Sequence, residues 1–306
     1  MEKYRRYGYF SSLDELMSRS VLWLLTKDVV LDYPRPTMPN MVDVGGLTVR
    51  RSSGNLPTDV QKFVDGAPAE NGGGAILMTF GSLAVSIPAH MVEKFSSAFG
   101  RLGGAYRVVW RLDNRDDVEL PDNVMISRWL PQNDILAHPN VRLFITHSGN
   151  NGQYEAVYHG VPMIGFSLHG DQIYNARRVV QKGYGLSMNL HDFTSDQLLD
   201  NIYKILGDES YKRRISRASE IFRSQDQTPV ERAAFWIEHV CRFGGDHLRS
   251  AGNDLPLYSY LMLDILAFVL IILHIVAYLL YRLLKLIANK CSCEKTASNN
   301  SFKKND

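Results

Sequence analysis

The sequence is short of cysteine and of any charge imbalance, and each shortage excludes a class of protein. With 34 Lys and Arg residues against 32 Asp and Glu residues, the chain has no basic field of the kind that nucleic-acid binding needs. Its three cysteines, Cys241, Cys291 and Cys293, are too few for a disulfide framework. The last two lie in a basic tail, where palmitoylation beside a membrane is favoured over a metal pair.

Long apolar runs are also scarce, and only one is long enough to cross a membrane. It contains ILAFVLIILHIVAYLLY, and a bilayer core of about 30 Å requires about 20 apolar residues. We therefore predict a transmembrane helix at 257–281 and a basic tail at 282–306. A buried core helix is the alternative, but no later residues could surround it. Because Arg282 and Lys285 follow the run, the positive-inside rule places the tail in the cytosol.

The two ends of the chain carry different targeting signals. Lys303 and Lys304 precede the last two residues and resemble the dilysine address that returns membrane proteins to the endoplasmic reticulum. The first residues contain no long apolar segment of a signal peptide. A luminal domain without such a segment leads us to expect that its beginning is missing, with residues 1–40 as a remnant or linker.

Between these ends, short apolar segments alternate with segments of helical spacing. This pattern is typical of an α/β fold whose parallel sheet is covered on both faces. We predict one such domain over residues 41–250. The predicted strands lie at 75–80, 106–112, 124–127, 141–146, 163–166 and 186–190, and the predicted helices at 88–102, 135–138, 151–159, 172–182, 195–206, 210–224 and 229–243.

The strand predicted at 141–146 leads into a turn that suits an anion. His147 follows the strand directly, and Ser148 and Gly149 then lead into a helix. Because the free N–H groups and the dipole of a helix start attract anions, a diphosphate would lie there beside the imidazole. A capped helix without any ligand is the alternative.

The helix that follows carries further polar groups. Asn150, Asn151 and Gly152 are small or capping residues, which suit a close approach of a ligand to the backbone. Glu155 lies one helical turn after Asn151, so both occupy one helix face. Its carboxylate could accept hydrogen bonds from the two hydroxyls of a ribose, although a solvent-facing glutamate is the alternative.

Two more pairs of side chains complete the pattern. Trp129 could stack on a base while Gln132 bonds the base or the ribose; core packing is the alternative for the tryptophan. Asp171 and Gln172 follow the strand predicted at 163–166 and could bind sugar hydroxyls, with a helix N-cap as the alternative for the aspartate. Since ligands of parallel sheets bind at the carboxyl ends of the strands, we expect all these groups to lie near one edge.

This segment resembles the UDP-glycosyltransferases, and animal UDP-glucuronosyltransferases in particular. Further matching motifs are FGS at Phe80–Ser82, VVWR at Val108–Arg111, FITH at Phe144–His147, YEAVYHGVPM, FWIEHV at Phe235–Val240 and HLR at His247–Arg249, before a membrane span and a dilysine tail. The resemblance covers residues 33–306. It implies a Rossmann-like domain, the C-terminal donor-binding half of a two-domain GT-B glycosyltransferase, followed by one transmembrane helix.

The resemblance also implies a donor site, divided among uridine, diphosphate and sugar. The residues carried over are Trp129, Gln132 and Glu155 for the uridine, Ser82, His147, Gly149, Asn151 and Gly152 for the diphosphate, and Asp171 and Gln172 for the sugar. The family usually has His-Gly-Gly where this chain has a serine at 148, which costs little if its φ is negative. The catalytic His and Asp of the family belong to the other domain, so we assign no catalytic residue.

The implied reaction transfers a sugar from UDP-glucuronate or a UDP-hexose to a small lipophilic acceptor with inversion. It requires no metal and no cofactor, and no arginine in the sequence clearly marks a sugar carboxylate. Three hypotheses remain open. The chain is part of a membrane enzyme of the endoplasmic reticulum with a luminal catalytic domain, or a half-protein that binds UDP-sugar and needs a partner chain, or a non-catalytic isoform. The last two act through homo- or hetero-oligomers.

Overall fold

The computed structural model describes residues 12–68, 72–81, 87–113 and 119–302, and it divides into two compact units. One unit runs from Val21 to His247, and the other combines the residues before Val21 with those from Leu248 onward. The first unit contains every strand of the described residues.

A parallel sheet forms the centre of the first unit. Among the described residues its six strands are β3 (Gly74–Thr79), β4 (Tyr106–Arg111), β5 (Val124–Ser127), β6 (Val141–Thr146), β7 (Met163–Ser167) and β8 (Gly185–Asn189). Their order in the sheet is β5-β4-β3-β6-β7-β8. The chain therefore winds outward from β3 in one direction and from β6 in the other, and the two central strands define a topological switch point.

Helices cover both faces of this sheet, which explains why its central strand β3 is buried along its whole length. Ile76 and Met78 enter one hydrophobic core, whereas Ala75 and Leu77 enter the other, because successive side chains of a strand point to opposite faces. The fold class predicted from the sequence is confirmed. The helices are α2 (Thr58–Asp65), α3 (Ala89–Gly100), α4 (Gln132–Leu136), α5 (Asn150–His159), α6 (Gln172–Lys182), α7 (Ser195–Gly207), α8 (Glu209–Arg223) and α9 (Pro229–Phe243).

A second, small sheet also belongs to the first unit. Its parallel strands β1 (Trp23–Leu25) and β2 (Met41–Asp43) pack against Ala233 and Trp236 of α9. The segment between the strands contains Leu31, whose side chain is fully buried in the main core. Residues 21–40, which we expected to be a linker, thus lie within this compact unit.

The second unit is dominated by one long helix. A short helix α1 (Leu13–Ser18) belongs to this unit, as do α10 (Leu257–Tyr260) and α11 (Leu263–Phe302). A turn at Met262, where φ is 54°, separates α10 from α11. Within α11, Leu263–Asn289 is long and apolar enough to cross a membrane. The predicted span at 257–281 begins earlier than this helix, and Lys303 and Lys304 lie outside the described residues.

Candidate functional site

A cleft of about 570 Å³ opens at the carboxyl edge of the main sheet. It lies at the ends of β3 and β6, after which the chain turns to opposite sides of the sheet. Sheets of this topology bind their ligands at this point. Eight of the ten residues predicted for the donor site line it. The full lining is Thr26, Gly81, Arg111, Gln132, His147, Gly149, Asn150, Asn151, Gly152, Glu155, Asp171 and Gln172.

The imidazole of His147 lies between two glycines. A Cβ atom on Gly149 would come within 2.3 Å of its Nε2, and one on Gly81 within 2.8 Å of its Cε1. Gly81 also has a φ of 79°, a conformation that side chains disfavour. Only glycine fits at either position while the ring keeps its place at the start of α5.

Burial lowers the pKa of His147 below its usual value, while the nearby Thr79 backbone and, after it, the Asp171 charge act in the opposite direction. The buried Nδ1 of this ring has no partner at hydrogen-bond distance and angle among the described residues. A neutral imidazole at this place has an N–H group to donate to a ligand oxygen.

Ser148 has a backbone conformation that serine rarely adopts. Its φ is 65°, so the condition under which the serine would cost little, a negative φ, is not met. The side chain is buried against β7, where a Cβ on Gly165 would lie 2.3 Å from its Oγ. This hydroxyl has no hydrogen-bond partner among the described residues. A left-handed conformation costs a non-glycine residue about 1–2 kcal/mol.

Gln132 and Glu155 form a pair on one side of the cleft. The amide Nε2 of Gln132 donates to Oε2 of Glu155 at 2.7 Å. Burial raises the pKa of Glu155, while hydrogen bonds from Gln132 and Thr48 and the charge of Arg50 oppose the rise. Gly152 leaves room for this pair, because a Cβ there would approach Gln132 Nε2 to 3.2 Å.

Asp171 and Gln172 stand at the start of α6. The Asp171 side chain makes no cap bond to the helix, which excludes the simple N-cap role; its Oδ2 instead accepts from Asn175 Nδ2 at 2.8 Å. Gln172 Oε1 accepts from the backbone N–H groups of Leu168 and His169 at 2.7 and 3.1 Å. These bonds fix the loop after β7 and leave the Gln172 amide hydrogens for a ligand.

Two predicted residues are not in the cleft lining. Trp129 is 65% exposed, so the alternative of core packing is wrong, and its indole stands outside the cleft at the start of the 129–132 segment. Ser82 lies outside the described residues.

The structure adds cleft residues that sequence reasoning missed. Arg111 ends β4, and its Nε donates to the Arg128 carbonyl at 3.1 Å; its place at the end of an apolar strand was the available signal. Thr26 comes from a segment far away in sequence, for which no signal existed. Within the described parts of the chain, no group of three or more His, Cys, Asp or Glu side chains is placed to hold a metal ion.

The fold and the cleft define a class: a Rossmann-like domain with an anion-attracting site at its switch point, as in one half of a GT-B glycosyltransferase. The crystal structure of the glycotransferase of kitacinnamycin has this fold, with a TM-score of 0.61 and 24% identity over 78% of this chain and 59% of that chain. The chain belongs to the UDP-glucoronosyl and UDP-glucosyl transferase family, whose model matches residues 7–297. The resemblance seen in the sequence is thereby confirmed.

Two relatives illustrate this membership. Human UDP-glucuronosyltransferase 1A9 is 36% identical over 92% of this chain and 52% of its own length. Rat 2-hydroxyacylsphingosine 1-beta-galactosyltransferase is 39% identical over 89% of this chain and 49% of its own. The chain thus spans about half the length of the relatives that it matches.

Proposed function

We propose that this chain forms the donor-binding half of a UDP-glycosyltransferase of the glucuronosyltransferase type. The observation that carries the proposal is the cleft at the carboxyl ends of β3 and β6, lined by the N-terminus of α5, by His147 and by Arg111. A helix dipole with such donors attracts a diphosphate. The Gln132–Glu155 pair supplies polar atoms for a ribose in the same cleft.

The donor would lie with its uridine near α4 and its sugar near α6. Gln132 and Glu155 hold the ribose, and the exposed indole of Trp129 serves as a stacking platform for the uracil. Asp171 and Gln172 bind the sugar hydroxyls.

The diphosphate lies at the start of α5 in this arrangement. Its contacts are His147, the backbone around Gly149, Asn151 and Gly152, and Ser82 by family resemblance.

In the proposed reaction an acceptor hydroxyl attacks the anomeric carbon with inversion while the bond from that carbon to UDP breaks. The departing diphosphate gains negative charge, which the α5 N-terminus, His147 and Arg111 stabilise. A general base must take the acceptor proton, and we assign that role to no residue of this chain. The acceptor is a small lipophilic molecule, and the sugar is glucuronate or a hexose.

We place this half in the lumen of the endoplasmic reticulum, anchored by a single membrane span in α11. The length and apolar character of Leu263–Asn289 support the anchor. Arg282 and Lys285 near its far end favour a cytosolic tail. Changing Lys303 and Lys304 to serine is then expected to release the protein to later compartments, and unchanged reticular staining in microscopy would count against this address.

A second candidate is a binding half that acts through association with a partner chain. In this candidate the partner supplies the general base, a role that we assign to no residue of this chain. Turnover of UDP-sugar and a phenolic acceptor is measured for the purified chain alone, for a full-length relative whose donor-site histidine is changed to alanine, and for the two together. The second candidate predicts turnover only in the mixture, and an inactive mixture would exclude it.

Calorimetry on the full chain in detergent micelles tests the donor site. We expect UDP to bind, His147→Ala to weaken UDP, and Asp171→Ala to weaken UDP-sugar but not UDP. The exposed residues His191 and Asp192 provide matched controls as His191→Ala and Asp192→Ala. Absence of UDP binding would remove the proposal, and equal losses for both ligands in both variants would contradict the separate roles.

A further inference from the structure

A buried arginine stands behind the phosphate end of the proposed donor site. Arg178 of α6 is only 2% exposed, and each of its guanidinium nitrogens donates a hydrogen bond. Nε donates to Gln153 Oε1 at 3.0 Å, one terminal nitrogen to Asp32 Oδ2 at 3.3 Å, and the other to Asn150 Oδ1 at 2.5 Å. Arg178 does not line the cleft itself, so it can act there only through another residue.

The carboxylate of Asp32 keeps this arginine in place. It accepts from the Tyr174 hydroxyl at 2.5 Å and from the Tyr33 backbone N–H at 2.9 Å. Burial would raise the pKa of Asp32, but these hydrogen bonds and the Arg178 charge outweigh it and lower the pKa. The carboxylate is therefore ionised at neutral pH. An ion pair this deeply buried gives little net stability, which indicates a role other than stabilising the fold.

Asn150 is the residue through which Arg178 reaches the cleft. Asn150 is the first residue of α5 and lines the cleft. A guanidinium can only donate hydrogen bonds, so it fixes the oxygen of the Asn150 amide toward itself. The amide nitrogen must then face the other way, where it donates to the Thr26 carbonyl at 2.9 Å. Thr26 also lines the cleft.

The open helix start beside this amide has a separate cause. The N-cap residue of α5 is Gly149, which has no side chain, so α5 begins without any side-chain cap bond. Arg178 therefore acts on this part of the cleft through Asn150 and Thr26.

We infer that Arg178 is a positioning residue for the diphosphate: through the Asn150 amide it holds Thr26 at the cleft wall, beside the N-terminus of α5. This inference rests on the proposed donor function and deepens it. Arg178 and Asn150 act in series, so removing both has no more effect than removing either. The effect is confined to phosphate binding, because the uridine contacts at Gln132 and Glu155 lie elsewhere in the cleft.

Calorimetry with UDP and with uridine, which lacks phosphate, tests this inference on the full chain in micelles. Arg178→Lys keeps the charge but cannot make three directed bonds at once, and Asn150→Ala removes the relay. Each is expected to weaken UDP about tenfold, the loss of one to two hydrogen bonds near a charge, and uridine less than twofold. The double variant is expected to match the single variants. Arg177→Lys, an exposed neighbour on the same helix, is the matched control.

The outcomes are distinguishable. Equal losses for UDP and uridine, or losses that add up in the double variant, would overturn the inference and leave a merely structural role. If Arg178→Lys fails to fold, Asn150→Ala at the half-buried cleft position decides alone by its ratio of UDP to uridine affinity. If the unaltered chain binds no UDP, the proposed function fails first and the inference falls with it.

Discussion

The two ends of α5 differ in whether their polar groups have partners within the protein. At the N-terminal end, Ser148 has a φ of 65° and a buried hydroxyl without a partner among the described residues, and Gly149 supplies no side-chain cap. At the C-terminal end, Gly160 takes a φ of 68° at no steric cost, and its carbonyl accepts from Lys212 Nζ at 2.7 Å. One end leaves its polar groups open, whereas the other pairs them within the protein.

The C-terminal end continues into a network of paired polar groups. His159 Nε2 lies 3.1 Å from Asn133 Oδ1, and Asn133 Nδ2 donates to the Arg50 carbonyl at 3.0 Å. Arg50 in turn donates to the buried carboxylate of Asp134 at 2.5 and 3.0 Å. A single helix is thus joined to the scaffold at one end and, in the proposed function, is open to the ligand at the other, with the strained residue Ser148 at the open end.

Removing a hydrogen-bond partner from the network at the C-terminal end of α5 is expected to have the largest effect, and this effect is on stability alone. Asp134 accepts hydrogen bonds from Arg50, Ser52 and Ser53, which bring its pKa down to about 2 even though burial acts the other way. Asp134→Ala leaves these donors unpaired and should lower the free energy of unfolding by about 3 kcal/mol. Urea unfolding followed through buried Trp110 measures it, with Asp192→Ala as the exposed control. A loss of UDP affinity without destabilisation would reverse the comparison.

Crowding the open end should affect binding instead. In Gly149→Ala the added Cβ would lie 2.3 Å from His147 Nε2, so the ring must move out of the cleft. UDP affinity is expected to fall about a hundredfold, or about 2.7 kcal/mol. Gly104→Ala, whose Cβ meets nothing within 4 Å, is the control in the same calorimetric titration. Unchanged UDP affinity would show that the position of His147 does not matter.

The paired end also predicts a dependence of stability on pH. Burial, followed by the positive charge of Arg223, lowers the pKa of His159 to about 4. The unfolded chain binds this proton near the ordinary pKa of about 6.5, so unfolding takes up a proton between the two values. Because part of the ring is exposed and screened by solvent, we expect stability to fall by about 2 kcal/mol as the pH drops through this window, less than the full shift would give. In urea titrations, His159→Gln should flatten the decline, and an equally steep decline would exclude His159 as its source.

The smallest expected effect is a gain in stability. Ser148→Gly removes a strained φ and an unpaired buried hydroxyl, which should stabilise the protein by about 1 kcal/mol. Gly160→Ala, at a similar positive φ on the other end of α5, should cost about the same amount. Thermal unfolding of both variants gives the two signs. Destabilisation by both would mean that the Ser148 side chain contributes packing that outweighs its strain.

Much of the fold could be predicted because each element carries a local signal. The strands Val124–Ser127 and Val141–Thr146 and the helices at 172–182 and 229–243 have the predicted bounds. The helix predicted at 135–138 begins at Gln132 instead, directly after Pro131, because proline suits a helix start and not its interior.

The candidate site likewise contains residues that local sequence patterns predict and contacts that they do not. His147 and Glu155 could be predicted because strand ends and helix faces follow from periodicity, whereas the bond from Asn150 to Thr26 joins residues 124 positions apart. The link from Arg178 to Asp32 spans 146 positions. Such contacts depend on how the elements pack, and no local sequence pattern predicts them. The φ of Ser148 also follows from packing, since the turn needs a left-handed residue whichever side chain it carries.

A crystal structure of the full chain with bound UDP would show where the nucleotide lies. We expect the diphosphate against the first turn of α5 beside His147, the ribose at Gln132 and Glu155, and the uracil against Trp129. Nucleotide bound at another place on the sheet, or a cleft that stays empty at saturating UDP, would contradict it.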